Sequence, residues 1–310
     1  MAARLPYGVF SEIRVLGGRL PMNMGTHLGE LLLPGEPNRS SSDVYRRSRL
    51  SPPPGPPLWD ETSPYGSSEQ QWGKWNGAGN CTIQSLVLHV DHTYMDDGRP
   101  TYPIGFPKLA RAWISRLADW LAVLADGTTD IVSPEGLTWQ NTDIQHEALM
   151  ESSIEWLEPK YALTLEQWRF ALDRTSAGDS APFPLALIAA AQRSAAEGDL
   201  RRAVFDAASA AETALSDALE RAVVGSHTSS DFYQWAMHRK TFGPLVDVST
   251  KIGLQLPKNT KERLLAVRNN VAHPANLPTE EKMMDAVEVA ADIVREHYLF
   301  EPSLKAAMCQ

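Results

Sequence analysis

The sequence predicts an α+β first half followed by an all-α antiparallel helical bundle. Glycine and proline interrupt regular structure, and 15 of the 22 prolines and 15 of the 20 glycines precede residue 160. Beyond about residue 182 the chain is rich in alanine, and its apolar residues recur with helical spacing. A cluster of small and polar residues at 177–182 marks the change. We therefore expect an N-terminal domain over 1–178 and a helical domain over 179–310.

The composition is that of a globular protein with an acidic balance of charge. Hydrophobic residues make up 43% and charged residues 22% of the 310 positions, which argues against wholesale disorder. The net charge of -9 means that tight binding to nucleic acid would need a local basic patch. The two cysteines, Cys81 and Cys309, are too few for a disulfide framework and are typical of a reducing compartment. Since we find neither a secretory signal nor a run of 18 apolar residues, we expect a cytoplasmic protein that does not enter a membrane.

Three kinds of segment can be predicted in the first half. The segment 81–94 is apolar and β-branched on both faces and is predicted to be a buried strand. Helices are predicted at 107–125, from the spacing of its leucines and tryptophans, and at 164–172, where Thr164 is suited to cap the helix. The Pro/Ser/Arg-rich stretch 38–57 cannot build a core and is predicted to be a loop, partly in polyproline conformation.

The second half has the pattern of successive helices with short connections. Gly198 and Gly225 are suited to end helices, and Asp199 is suited to cap one. The predicted helices are 184–197, 199–223, 232–238, 242–252, 258–272 and 279–298. Short connections between amphipathic helices favour an antiparallel bundle.

One charged residue falls where the core of the bundle should be. On the predicted helix 258–272, with angles measured from Leu264, Arg268 lies at about 40°, within the same apolar stripe as Val267, because each residue advances by about 100°. Asn269 and Asn270 point outward on the same helix. An arginine cannot lose its proton to escape the cost of burial, so a carboxylate should lie opposite it.

The long helix upstream offers one acid for this role. Asp206, Asp217 and Glu220 lie on the face opposite its apolar stripe, whereas Glu212 lies at the edge of the stripe. The stripe itself consists of Val204, Ala208, Ala211, Leu215, Ala218 and Ala222. So many alanines permit a close approach of neighbouring helices. We therefore expect Glu212 to turn inward toward Arg268.

These residues carry a resemblance to a known family. The string Arg-Asn-Asn-Val-Ala-His at 268–273 resembles the R-x4-6-H signature of HEPN domains, including the polar residue directly after the arginine. The upstream helix with Glu212 looks like the leading helix of that family, which often carries an inward glutamate. The likeness covers roughly residues 183–300, and the motif lies on the penultimate major helix. The first 175 residues or so carry no such resemblance.

The resemblance implies a metal-independent endoribonuclease that works as a homodimer or higher oligomer, with motifs from two chains facing each other. His273 would move a proton to or from a ribose oxygen, and Arg268 would hold the scissile phosphate, so no metal or other cofactor is expected. Asn269 or Asn270 could contact the phosphate or hold the histidine. Bacterial proteins of this kind often act as toxins or in anti-phage defence, which implies RNA as substrate and leaves room for a regulatory partner protein.

Basic residues close to the motif extend the expected site. Lys258, Lys261 and Arg263, together with Arg239 and Lys240, could form a local RNA-binding surface on this acidic protein. A solvated helix face is the alternative interpretation of the same residues.

Other interpretations stay open for the remaining patterns. Arg268 and Glu212 could form a purely structural pair in a non-catalytic dimerisation or binding module, with the N-terminal domain as the recognition or sensor part. The His-Val-Asp-His segment at 89–92 invites a metal site, but its two histidines would point to opposite faces of a strand. The Gly-rich stretch 73–80 lacks the residue order of a phosphate-binding loop.

Overall fold

The computed structural model describes residues 2–37, 49–54, 72–77, 80–90, 95–96, 99–100, 105–125, 162–225, 241–273, 275–298 and 302–308. The chain divides into two compact units, one formed by Met1–Ser180 with Ala307–Gln310 and the other by Ala181–Ala306. The break after Ser180 falls within the cluster of small and polar residues that marks the composition change. The end of the chain groups with the first unit, whereas the sequence placed it in the second.

The first unit is built on an antiparallel sheet. Its strands are β1 (Ala2–Glu12), β2 (Arg19–Met24), β3 (His27–Leu32), β4 (Gly73–Gly77) and β5 (Asn80–Val90). Strand β5 is central: β1 pairs with one edge of it, β4 and β3 share the other edge, and β2 pairs with β3. A separate short ladder joins β6 (Met95–Asp96) to β7 (Arg99–Pro100). The predicted strand is thus found in the middle of the sheet, buried at 81–88, and its predicted end at 91–94 lies outside the described residues.

The sequence does not predict strands β1, β2 and β3, because each contains a proline or a glycine, which are uncommon in strands. Pro6 interrupts β1, whose pairing with β5 also shifts register midway. Pro21 lies in β2, which is at the edge of the sheet, where a missing N–H is tolerated. At Gly29 of β3 the neighbouring strand approaches so closely that a Cβ atom would lie 2.9 Å from the Cα of Val90. Only glycine fits at such a position.

Two helices complete this part of the first unit, α1 (Phe106–Leu124) and α2 (Leu165–Ala177), and both were predicted. They pack against each other and against β1 and β2. A capping box starts α2: the Gln167 N–H donates to Thr164 Oγ1 at 3.2 Å, and the Thr164 N–H donates to Gln167 Oε1 at 2.9 Å. Gly178, with φ of 86°, ends the helix in the left-handed region.

The second unit is helical. Its elements are α3 (Phe183–Ala196), α4 (Leu200–Gly225), α5 (Phe242–Lys251), a π-helical turn (Lys261–Leu265), α6 (Ala266–Val271) and α7 (Glu280–His297). Each lies within two or three residues of a predicted helix, and the predicted helix 232–238 lies outside the described residues. Only three residues join α3 to α4, and the two pack along their lengths, so they run antiparallel. The prediction of an α+β region followed by a helical region is confirmed.

Helix α4 is the centre of the second unit because it packs against α3, α5, α6 and α7. Its buried residues therefore extend beyond one stripe: Ala211 and Leu215 are fully buried, and so are Ala207 and Ala210. Asp206 was expected on an outer face. It is instead half-buried, and burial raises its pKa despite the opposing effect of nearby arginines.

The chain ends in a short helix, α8 (Pro302–Met308), that the sequence pattern did not predict. The Nε2 of Gln167, from α2, donates to the Ala307 carbonyl at 3.0 Å in a buried hydrogen bond. This bond is one reason why the end of the chain belongs with the first unit. In the part of the chain that the structure describes, no helix combines the length and the hydropathy needed to cross a bilayer.

Candidate functional site

The candidate site is built on the π-helical turn and α6, which pack against α4. Leu264, Val267 and Val271 are all less than 9% exposed and hold this segment to the core. The Ala266 N–H donates to the carbonyl of Lys261, five residues earlier, whereas in an α-helix the acceptor lies four residues earlier. Such π-helical turns are frequent at functional sites, and the sequence pattern gave no sign of this one.

Arg268 lies half-buried on α6, and its guanidinium is held by a neighbour on the same helix. Its Nη1 donates to Asn269 Oδ1 at 3.2 Å in an exposed hydrogen bond. Among the described residues Arg268 makes no ion pair. Arg268 therefore keeps N–H groups that could donate hydrogen bonds to an incoming anion.

Glu212 faces Arg268 from α4 without touching it. Burial raises the pKa of the Glu212 carboxyl, and the positive charge of Arg268 lowers it by a smaller amount. The two side chains thus interact electrostatically but do not close an ion pair, so the pairing that the sequence predicted is present only as a longer-range attraction.

His273 lies just beyond the end of α6 with an exposed side chain. Its N–H donates to the Asn270 carbonyl at 3.1 Å, and its own carbonyl accepts from the Asn276 N–H at 3.0 Å. Within the described residues nothing hydrogen-bonds to the imidazole. The backbone on both sides of His273 thus makes local hydrogen bonds, and its ring is open to a ligand.

The predicted RNA-binding residues have different surroundings. Lys258, Asn269 and Asn270 are exposed. Lys261 pairs with Asp247 of α5 at 2.5 Å, and this contact raises the pKa of Lys261.

Of the predicted basic residues that the structure describes, Arg263 makes the most polar contacts; Arg239 and Lys240 lie outside the described residues. Its Nε donates to Asp285 Oδ1 of α7 at 2.7 Å, and its Nη2 lies 3.4 Å from Glu288 Oε2. The hydrogen bond from Arg263 lowers the pKa of Asp285. The acids that meet Arg263 and Lys261 come from elements distant in sequence, so a local pattern of basic residues could not reveal them.

Arg201, in the first turn of α4, has no signal in the sequence that marks it as part of the site. Its Nη2 donates to the Asn276 carbonyl at 3.4 Å. Asn276 in turn bonds to His273, so the arginine is connected to the motif through the turn that follows it. The adjacent Arg202 points elsewhere and pairs with Asp206 at 3.5 Å. No sequence signal distinguishes these two arginines.

A surface cleft of about 420 Å³ adjoins the π-helical turn. Its lining combines aliphatic groups of Val246 and Leu254 with polar groups of Thr260 and Lys261. Asn259, on the same rim, adopts the left-handed backbone with φ of 59°. No pattern in the sequence predicts this cleft.

The structure locates part of the Gly-rich and histidine-containing segments that the sequence singled out in the first half. Most of the Gly-rich stretch 73–80 forms β4 and the start of β5, and His89 is half-buried on β5. Asp91 and His92 lie outside the described residues. Over the described ranges, no group of three His, Cys, Asp or Glu side chains is placed to hold a metal ion. Burial raises the pKa of the Cys81 thiol to about 12, which keeps it protonated and unreactive.

Comparison with protein-family models, with curated proteins and with solved structures finds no match to this chain. The candidate site is thus defined by its own residues: Arg268 with open donors, the exposed His273, and Glu212 facing the arginine from α4.

Proposed function

We propose that the second unit is a HEPN-type, metal-independent endoribonuclease that acts as a homodimer. Two features carry the proposal. Among the described residues no carboxylate forms an ion pair with Arg268, and His273 presents an exposed imidazole five positions later. Arg268 lies on α6 and His273 follows two residues after the helix ends at Val271, so both side chains belong to one short segment. In the proposed dimer, the segments of two chains would together supply both groups to one phosphate.

The residue types suit transesterification of RNA. The ribose 2′-oxygen attacks the adjacent phosphorus while the bond to the 5′-oxygen breaks, which leaves a 2′,3′-cyclic phosphate and a 5′-hydroxyl. One proton leaves the 2′-hydroxyl and one joins the 5′-oxygen. His273 of one chain would accept the first, and His273 of a second chain would donate the other. Arg268 would stabilise the charge that develops on the non-bridging oxygens.

The neighbouring residues take supporting roles in this proposal. Asn269 holds the Arg268 guanidinium through its side-chain oxygen, and Glu212 draws the arginine toward α4 without neutralising it. Lys258 and Asn270 are exposed and are assigned to the RNA backbone on either side of the cleavage point.

The cellular context of the proposal comes from the family resemblance. An RNA-cleaving unit joined to a second unit fits a cytoplasmic toxin or an effector of anti-phage defence. The first unit would then sense a trigger, restrain the nuclease or bind a regulatory partner protein.

The test is cleavage of total cellular RNA by the purified full chain in excess EDTA. We expect wild-type protein to cut and the variants Arg268→Ala and His273→Ala to lose the activity by at least about a hundredfold, the range of a lost acid–base or oxyanion-type contact. The matched control is Arg295→Ala, since Arg295 is an exposed arginine that pairs with Asp292 at 2.7 Å on α7. It should cut like the wild type.

Two further results would decide against the proposal. Activity that persists in both motif variants would place the chemistry elsewhere. A folded wild-type protein that cuts no RNA would remove the nuclease altogether. Sedimentation equilibrium on the same samples should give twice the mass of one chain for the wild type and for all three variants.

One observation favours a second candidate, a non-catalytic dimerisation or binding module. Lys261 and Arg263, both expected to bind RNA, are already paired with Asp247, Asp285 and Glu288. A helical surface whose cations are paired internally suits protein contacts better than a polyanion. This candidate predicts a stable dimer that neither cuts nor retains RNA at physiological salt.

A further inference from the structure

The segment that carries His273 has few hydrogen bonds to the rest of the fold. Between the end of α6 at Val271 and the start of α7 at Glu280, the described backbone forms no regular element. Its N–H and carbonyl groups make local bonds at Ala272, His273 and Asn276. The position of the imidazole therefore depends on how this segment is tied to its neighbours.

One side chain from another element bonds to this segment. Arg201, in the first turn of α4, donates Nη2 to the Asn276 carbonyl at 3.4 Å. Within the described part of 272–278, no other side chain from outside the segment hydrogen-bonds to it. Because the Asn276 N–H also bonds to the His273 carbonyl, the guanidinium and the histidine share a single turn of backbone.

The packing of α4 gives this contact a consequence for the site. Glu212 of α4 faces Arg268 of α6, and Arg201 of the same helix reaches the turn after His273. One helix therefore carries both the acid that faces Arg268 and the arginine that bonds to the turn after His273. A displacement of the turn by about 1 Å could cost up to about a hundredfold in rate, because acid–base catalysis depends on the placement of the reacting groups.

We propose that Arg201 is a positioning residue, which clamps the His273–Asn276 turn to α4 and so sets the place of the imidazole relative to Arg268. This inference rests on the proposed ribonuclease function. Arg201 would not touch the substrate; it would act on the position of His273 through its hydrogen bond to the Asn276 carbonyl.

The first measurement is amide hydrogen exchange on the intact chain. In Arg201→Ala, the peptide that covers 272–279 should exchange several-fold faster than in the wild type. The matched control is Arg202→Ala, which removes the adjacent arginine that pairs with Asp206 instead. It should leave exchange in 272–279 unchanged, and Arg201→Lys should restore part of the protection because an ammonium can donate to the same carbonyl.

The second measurement separates positioning from substrate contact. For Arg201→Ala in the EDTA-resistant cleavage assay, we expect kcat to fall by about tenfold with KM within about twofold, since a misplaced acid or base acts on the chemical step. A rise in KM with unchanged exchange would mean that Arg201 contacts RNA directly, and this would overturn the positioning role.

The remaining outcomes distinguish this inference from the function on which it rests. An active wild type together with an Arg201→Ala variant of unchanged exchange and rate would overturn the clamp alone. A wild type that cuts no RNA would overturn the ribonuclease and, with it, the catalytic meaning of the clamp.

Discussion

At the scale of single residues, the motif combines an exposed imidazole with an arginine that is attracted to a carboxylate but not bound by it. Glu212 faces Arg268 from α4, and no ion pair joins the two side chains among the described residues. Its carboxyl pays a desolvation cost that attraction to Arg268 offsets only in part. An ion pair with Glu212 would have occupied hydrogen-bond donors of the Arg268 guanidinium. Without any acid nearby, no attraction would hold that guanidinium toward α4.

The pH dependence of stability tests this balance. Because burial raises the folded-state pKa of Glu212 above its ordinary value of 4.5, protonation favours the folded state. This contribution is complete below pH 4.5 and is lost as the pH rises through the raised pKa. We therefore expect Glu212→Gln to have a higher Tm than the wild type at pH 7, with the difference shrinking as the pH falls toward 4.

Differential scanning calorimetry of the two proteins across that pH range makes the comparison. The control is Glu220→Gln, an exposed acid on the same helix, which should follow the wild type at every pH. A Glu212→Gln variant that is less stable than the wild type at pH 7 would show that attraction to Arg268 outweighs burial.

At the scale of elements, local signals start and stop the helices. Helix α2 has a reciprocal capping box, α4 has Asp199 at its start, and Thr279 accepts from the Lys282 N–H at the start of α7. These signals act over three or four residues, so they can be read from the sequence. The π-helical turn before α6 has no comparable local signal, and it is seen only when the helix is packed.

The capping box gives a measurable contribution to the first unit. Thr164→Ala should lower the free energy of unfolding by about 1 kcal/mol, since the Gln167 N–H loses its acceptor. Thr164→Ser keeps the hydroxyl and should retain most of that stability. Urea unfolding monitored by tryptophan fluorescence provides the measurement, and an equal loss in both variants would mean that the cap contributes nothing beyond the packing of the threonine methyl group.

At the scale of the whole molecule, the net charge limits how RNA can bind. A chain of net charge -9 repels a polyanion unless local cations are free, and two of the predicted basic residues are already paired with acids. We therefore expect weak binding of a short unstructured RNA, with an apparent Kd above about 10⁻⁵ M at physiological salt.

The dependence of RNA affinity on salt concentration measures the number of contacts between basic side chains and phosphates. Each phosphate contact with single-stranded RNA contributes about 0.7 to the slope of log K against log salt, so Arg268 and Lys258 from both chains of the proposed dimer predict a slope of at most about -2.8. Arg268→Ala should halve the slope, and Arg295→Ala should not change it. Fluorescence anisotropy over a salt series gives the slope, and a value as steep as about -4 would reveal a wide basic surface and contradict this account.

By itself the sequence determined most of the helices, the central strand β5 and the change of composition near residue 180, and it singled out Glu212 as the acid of α4 nearest to Arg268. These depend on caps, breakers and periodicity, which are properties of neighbouring residues. The sequence also predicted the HEPN-like motif and its ribonuclease function, which stay predictions.

Only the tertiary structure decided which of these residues are available to a ligand. Asp285 meets Arg263, Asp247 meets Lys261 and the Asn276 carbonyl meets Arg201 through packing of elements that lie far apart in the chain. Strands β1 to β3 likewise exist because β5 and its neighbours supply their hydrogen bonds, despite weak patterns of their own. Local propensity is a property of a few residues, whereas pairing, burial and the charge left free at a site are properties of the packed chain.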